Sequence, residues 1–326
     1  MSKKKKNGFV KNFIPCKGDR VLGIVRKIIV IIAFIVLVCS IVYLGLDLFE
    51  QIRAKQLNDE LAQKHTEPVV ITQQTTEPVT ETTEEVTEPP PLVVTPDMEE
   101  LVKQNPDTAG WIKVNNTQID NVVVQTKDNE YYLDRDFNGN KSQPGTIFID
   151  YRCNVNDYDE NQSDNIIIYG HNQANGLMFG TLKNYKILKK NTSRYQFYLD
   201  NPTFSFSNLY KEYTYKIIAI FITEVEPEQT RDGIIFDYHN YINFTQKRTF
   251  ESFKENIMAR TEVLTGVDFD EKDKYVTLST CSNEFEPSRF VVIGRRVRDG
   301  EDPEVDTSKS QLNPNAKEPD WNYIYR

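Results

Sequence analysis

Residues 28–46 are nineteen consecutive residues without a charge, mostly Ile, Val and Leu, and they limit the fold of this 326-residue chain more than any other feature. At 1.5 Å per residue a helix of that length covers roughly 28 Å, close to the thickness of a bilayer's hydrocarbon core. The run is therefore read as a transmembrane helix, with membrane lipid as its partner. Residues 1–27 carry nine Lys or Arg against one acid, Asp19, so the positive-inside rule keeps this tail in the cytoplasm and exports the chain beyond the span. The run is longer than a usual signal core and no Ala-x-Ala pattern comes after it, which favours an uncleaved, single-pass anchor. The exported remainder holds 30 basic and 47 acidic residues, a balance that argues against a nucleic-acid partner.

Beyond the span, residues 47–64 read as a polar stalk helix, with Leu48, Ile52 and Leu57 near helical spacing. Residues 65–96 then change composition: Thr66-Glu67-Pro68-Val69 recurs as Thr76-Glu77-Pro78-Val79 and in part as Thr87-Glu88-Pro89. Repeated Pro and mutually repelling Glu predict an extended, disordered linker, with His65 at its start.

Residues 97–300 carry the pattern of a folded domain. A short helix with Met98, Leu101 and Val102 begins after Thr95-Pro96-Asp97. Strand-like runs lie at 111–114, 119–125, 146–150, 165–169, 196–199, 213–223, 275–280 and 290–297, with helical pattern at 177–188 and 248–260. Eight short strands separated by turn residues indicate a mostly β (α+β) fold, an antiparallel sheet or barrel with flanking helices. Residues 301–326 form a polar C-terminal extension, either packed back or loose.

Cys16 falls in the tail and Cys39 in the span, leaving Cys153 and Cys281 outside, and a domain of about 200 residues needs no disulfide for its core. No Cys/His spacing fits zinc and no glycine loop fits a phosphate, so neither metal nor cofactor is expected. Residues 157–161 begin like a calcium loop, but Gln162 stands where that loop needs Gly and Ile168 where it needs Glu.

Chemistry concentrates in two strand ends. Thr277-Leu278-Ser279-Thr280-Cys281 finishes a β-prone run on a cysteine, and alternation puts Thr277, Ser279 and Cys281 on one face. Arg289 opens the next strand after a short turn, close enough to pair with Cys281, whereas Arg295 lies roughly 20 Å further along. Ile166-Ile167-Ile168-Tyr169-Gly170-His171-Asn172 delivers a histidine just past a glycine. A thiol is a nucleophile when ionised, and a neighbouring His or Arg cation favours that form. His239 reads as a surface residue. Taken singly, Cys281 reads as core, His171 as a turn residue and Arg289 as a partner of Glu284 or Glu286.

Together these residues resemble the signature of class B sortases, membrane-anchored cysteine transpeptidases of Gram-positive bacteria. The likeness runs over residues 98–298 and includes Asp107-Thr108-Ala109-Gly110-Trp111-Ile112, Asp128-Asn129-Glu130-Tyr131-Tyr132-Leu133 and Gly145-Thr146-Ile147-Phe148-Ile149-Asp150. The resemblance implies an eight-stranded β-barrel with an extra helix between the sixth and seventh strands, a place the 248–260 helix fits. It implies Cys281 as nucleophile, His171 as its proton partner and Arg289 as donor to substrate and oxyanion, with Ser279, Thr280 and Asn172 as candidate substrate contacts. The implied reaction cleaves a sorting signal after Thr through a thioester and passes the acyl group to an amine of a peptidoglycan precursor. Family members anchor haem-uptake proteins or polymerise pilins; from the residues, a cysteine hydrolase and a tethered binding module also stay open.

Overall fold

The computed structural model describes residues 14–15, 19–65, 91–188 and 191–325. Cys16, most of the basic tail and the Thr/Glu/Pro repeats lie outside the described residues. The chain divides between Arg53 and Ala54 into two units.

Helix α1, Val21–Lys64, is long and apolar enough to cross a membrane, and its side chains over 28–46 are almost all exposed. The helix does not break at Asp47: the polar residues after the apolar run carry the same helix on, as expected for a Leu/Glu/Lys/Gln-rich segment without Pro or Gly. Its last turns belong to the second unit, where Ala54 and Leu61 are buried. His65 comes next and stacks on Trp111 with ring centroids 4.2 Å apart, its Nδ1 2.8 Å from the Asp97 carboxylate. The linker reading of His65 is therefore corrected, because an aromatic face was available to it.

Eight strands close a barrel. In chain order they are β1 (Thr108–Lys113), β2 (Asp120–Val124), β3 (Phe148–Ile149), β4 (Asn165–Tyr169), β5 (Thr203–Ser207), β6 (Glu212–Glu224), β8 (Tyr275–Cys281) and β9 (Ser288–Arg296). Around the barrel the order is β1-β2-β3-β4-β8-β9-β6-β5, returning to β1. A small ladder, β7 (Val263–Leu264) with β10 (Gln311–Leu312), stands apart. Closure leaves none of the eight strands with an unpaired edge.

The expected count of eight is met by a different set. Residues 196–199 belong to helix α3, Thr192–Asp200, whose start is fixed by the Asn191 side chain accepting from the Arg194 N–H at 3.1 Å. The strand overlooked is β5, where Phe204 and Phe206 point inward between half-exposed Thr203 and Ser205. The helix expected over 177–188 reduces to a single turn, Leu182–Tyr185, because Gly176 and Met178 sit at φ of 92° and 52°.

Three apolar clusters form the core. Ile112, Val123, Ile167, Phe179, Phe206, Ile220, Leu278 and Val292 fill the barrel. Helix α4, Lys247–Arg260, lays Phe250, Phe253 and Ile257 on the outer faces of Phe221, Tyr275 and Ile293. Helix α2, Pro96–Gln104, and the end of α1 cover Trp111, Val122 and Val124 with Met98, Leu101 and Leu61. A bulge at Ile217/Ala219 switches the side-chain parity of β6, so Tyr215 and Ile217 face inward before it and Ile220 and Ile222 after it.

Glu262, just after α4, has an oxygen, Oε2, that is buried without a hydrogen-bond partner. Burial pushes this carboxyl up to about 8, so the folded state holds its proton more tightly than the unfolded chain, where the value is 4.5. Its contribution to stability is complete below pH 4.5 and is lost as pH rises towards about 8. Glu262→Gln, which keeps the neutral form at every pH, is expected to raise the Tm by about 5 °C at pH 9 and to leave it unchanged at pH 4. Calorimetry of the two proteins at both pH values checks this; an equal Tm at pH 9 would remove the buried-proton explanation.

Candidate active site

Strand β8 runs between β4, to which it is parallel, and β9, to which it is antiparallel. In the β4 ladder Ile168 pairs with Leu278 and Tyr169 with Ser279. Continued by two residues, the same register sets His171 level with Cys281. The β9 ladder pairs Cys281 directly with Arg289. Parallel and antiparallel neighbours thus bring residues of three strands, two of them joined by a short connection, to one end of the barrel.

His171, Cys281 and Arg289 line a cleft of ≈ 230 Å³, together with Asn129, Leu133, Phe148, Tyr169, Gly170, Ser279 and Thr280. Cys281 is exposed at its mouth, and Arg289 Nη1 reaches its Sγ at 3.9 Å while donating to the Ser288 carbonyl at 3.0 Å. A contact at 3.9 Å is at the long limit of an N–H···S bond, so the guanidinium remains able to donate to an oxygen on a carbon joined to that sulfur. Glu284 pairs with Lys186 at 3.1 Å, so the alternative of an Arg289–Glu284 pair does not occur.

His171 Nε2 lies 2.7 Å from the Leu133 carbonyl oxygen. A carbonyl accepts and cannot donate, so Nε2 carries the proton and Nδ1 is left for exchange. Two glycines permit this geometry. At Gly170 a β-carbon would lie 2.8 Å from the Phe179 ring, and at Gly145, where φ is +64°, it would lie 2.6 Å from the Leu133 oxygen itself. The Phe179 N–H also holds the His171 carbonyl at 2.9 Å.

The three candidate substrate contacts differ in placement. Asn172 donates from Nδ2 to the Cys281 carbonyl at 2.8 Å and so ties the two strand ends together. The Ser279 hydroxyl lies 2.6 Å from that of Tyr238, a residue of the long β6–β8 connection whose phenol burial pushes upward. Thr280 lines the cleft, but its Oγ1 is buried without a partner. His239 stays outside the cleft; its carbonyl accepts from Arg152 at 2.8 Å. Cys153 is buried and its thiol is pushed up to about 12 by burial, which makes it inert.

Sequence reasoning missed the wall behind the cleft. The fully buried Asp150 carboxylate accepts from Tyr169 Oη at 3.0 Å, from Asn129 Nδ2 at 3.1 Å and from Arg152 Nη2 at 2.8 Å. Burial acts to raise this carboxyl, yet the Arg152 bonds outweigh it and hold it below the usual range. Tyr169 and Asn129 both face the cleft, so their orientation depends on Asp150. Asn129 and Asp150 fall in two segments, 128–133 and 145–150, whose residues show no chemistry until the fold joins them.

The Sortase domain family model matches residues 112–297, the stretch that contains all of these groups. The chain belongs to the sortase family. A sortase B of Listeria monocytogenes is 34% identical over 203 residues, covering 62% of this chain and 74% of its own. The structure of sortase B from B. anthracis in complex with AAEK1 superposes with a TM-score of 0.56 at 25% identity, over 77% of this chain and 99% of the other. A Staphylococcus aureus sortase B–substrate complex gives 0.52 at 28% identity, over 63% and 86%. The resemblance to class B therefore holds, and the sortase is an enzyme, a cysteine transpeptidase. Its barrel agrees with the expected fold, and α4 stands between the sixth and seventh barrel strands, where class B was expected to carry a helix.

Proposed function

We propose that this sortase cleaves the sorting signal of exported proteins after a Thr residue and transfers the new carboxyl end to an amine of the peptidoglycan precursor. The reading rests above all on the convergence of Cys281, His171 and Arg289 on one cleft. His171 takes the thiol proton at Nδ1, and Cys281 Sγ attacks the Thr carbonyl carbon. Arg289 donates to the oxygen as it gains negative charge. The C–N bond breaks, the leaving amine departs with the proton from His171, and a thioester remains on Cys281. The acceptor amine then attacks that thioester, gives its proton to His171, and the C–S bond breaks as Cys281 recovers a proton.

The substrate-bound S. aureus relative supports a sorting peptide as the cleft's occupant. Helix α1 supports single-pass anchoring, and the basic tail favours an N-terminus in the cytoplasm with the barrel outside. On this reading Ser279, Thr280 and Asn172 shape the cleft beside the substrate.

The test is intact mass spectrometry of the full chain in detergent, incubated with Thr-containing sorting peptides, with and without an amine. The expected result is an acyl adduct on Cys281 that is discharged to the amine. Cleavage at the same rate in both arms would instead make the protein a hydrolase, and no adduct with any peptide would overturn the proposal.

A further inference from the structure

Residues beyond 297 lie outside the matched Sortase domain, yet they return to the barrel at several levels. The Glu301 carboxylate pairs with buried Arg295 and, at 2.7 Å, with Lys216. Strand β10 pairs with β7, and Asn313 Nδ2 donates to the Thr261 carbonyl at 2.9 Å. The Lys317 N–H donates to the Ala259 carbonyl at 2.7 Å, and the Asp320 N–H to that of Gln229 at 2.9 Å. The short helix α5, Trp321–Ile324, then sets the Trp321 ring edge-on against Phe285 with centroids 5.7 Å apart.

Phe285 belongs to the connection 282–287, which joins Cys281 to Arg289. Lys186 grips the other side of that connection through the Ser282 carbonyl and, at 3.1 Å, through Glu284. Phe285 is itself 9% exposed, and its carbonyl accepts from the Ser288 hydroxyl, one residue before Arg289. The extension therefore acts on the segment that sets where the guanidinium stands relative to the sulfur.

We infer that Trp321 is a positioning residue for the transfer reaction: by packing on Phe285 it fixes the 282–287 connection and so the placement of Arg289 beside Cys281. The inference rests on Cys281 and Arg289 being the reacting pair proposed above. Trp321 touches neither substrate nor the reacting atoms. Its effect runs through the thiol's reactivity and through turnover, not through peptide affinity.

The first readout needs no peptide. The full chain in detergent is alkylated with iodoacetamide at pH 7, and the Cys281-containing fragment is tracked by mass spectrometry. Trp321→Ala is expected to slow alkylation about five-fold, because the 282–287 connection no longer fixes Arg289 against the sulfur, whereas Trp321→Phe stays within about two-fold of the parent. With a sorting peptide, Trp321→Ala is expected to lower kcat about ten-fold with KM within about two-fold. Should Trp321→Ala lose its folded circular-dichroism spectrum, Phe285→Leu takes its place with the same expectation. Parent-like alkylation and kcat in the alanine variant, or an equal loss in the phenylalanine variant, would overturn the inference. Failure of the parent chain to acylate would count against the transpeptidase proposal alone, since the alkylation arm stands without it.

Discussion

Cys281→Ala is expected to abolish acyl-enzyme formation, a loss of at least about 10⁴-fold in peptide transfer, with the Tm kept within about 2 °C of the parent. The side chain is exposed at the mouth of the cleft, and its removal opens no cavity. The neighbouring backbone is held independently of the sulfur, through the Cys281 carbonyl to Asn172 and through both flanking ladders. Intact mass and product analysis on the same sample give the transfer, and a thermal melt gives the Tm. Retained transfer in a folded Cys281→Ala protein would place the nucleophile elsewhere.

Arg289→Ala should lower kcat/KM by about 10²- to 10³-fold, carried by kcat, which is the usual cost of removing one preorganised donor to a developing oxyanion. Arg289→Lys should recover less than about ten-fold of this, since an ammonium is a point charge without the planar fork. The geometry motivates the size of the effect: Arg289 has no carboxylate partner among the described residues, and its guanidinium meets the Ser288 carbonyl and the sulfur. Steady-state kinetics with and without an amine acceptor would measure the split. A variant that changed KM alone would make Arg289 a substrate clamp instead of a transition-state donor.

Much of this site was legible in residue order because its principal groups sit at strand ends. The run ending in Cys281 and the run ending in Gly170-His171 are apolar enough to be read as strands without knowledge of the fold, and alternation alone sends Cys281 to a different face from Leu278. Arg289 was legible because a short turn forces adjacent strands together. The contribution of Leu133 was not, since it acts through its backbone carbonyl and any residue type offers the same group. Asp150 was equally silent: its role comes from Tyr169, Asn129 and Arg152 meeting in space.

The fold was misread where local composition and tertiary context disagreed. The run Gln196-Phe197-Tyr198-Leu199 is half aromatic and looks like a strand, but the Asn191 cap five residues earlier and a buried Tyr198 make it helical. In the 177–188 segment the buried Leu177, Phe179, Leu182 and Tyr185 keep helical spacing, yet Gly176 and Met178 adopt positive φ and the backbone loops instead. The C-terminal extension is polar enough that its sequence left both a packed and a loose tail open, and its few apolar groups, Leu312, Trp321 and Ile324, are the ones that dock.

The parallel pairing of β4 with β8 also governs when reactivity can arise. Asn172 and Cys281, which touch in the finished barrel, are 109 residues apart in the chain. Contacts so remote in sequence form late, after shorter loops have closed, and they slow folding accordingly. A chain emerging from synthesis presents its histidine long before its cysteine, and the two meet when the last strands complete the ring. Until then the sulfur has no guanidinium beside it. On the proposed mechanism, peptide-bond chemistry therefore waits for the pairing of the last barrel strands.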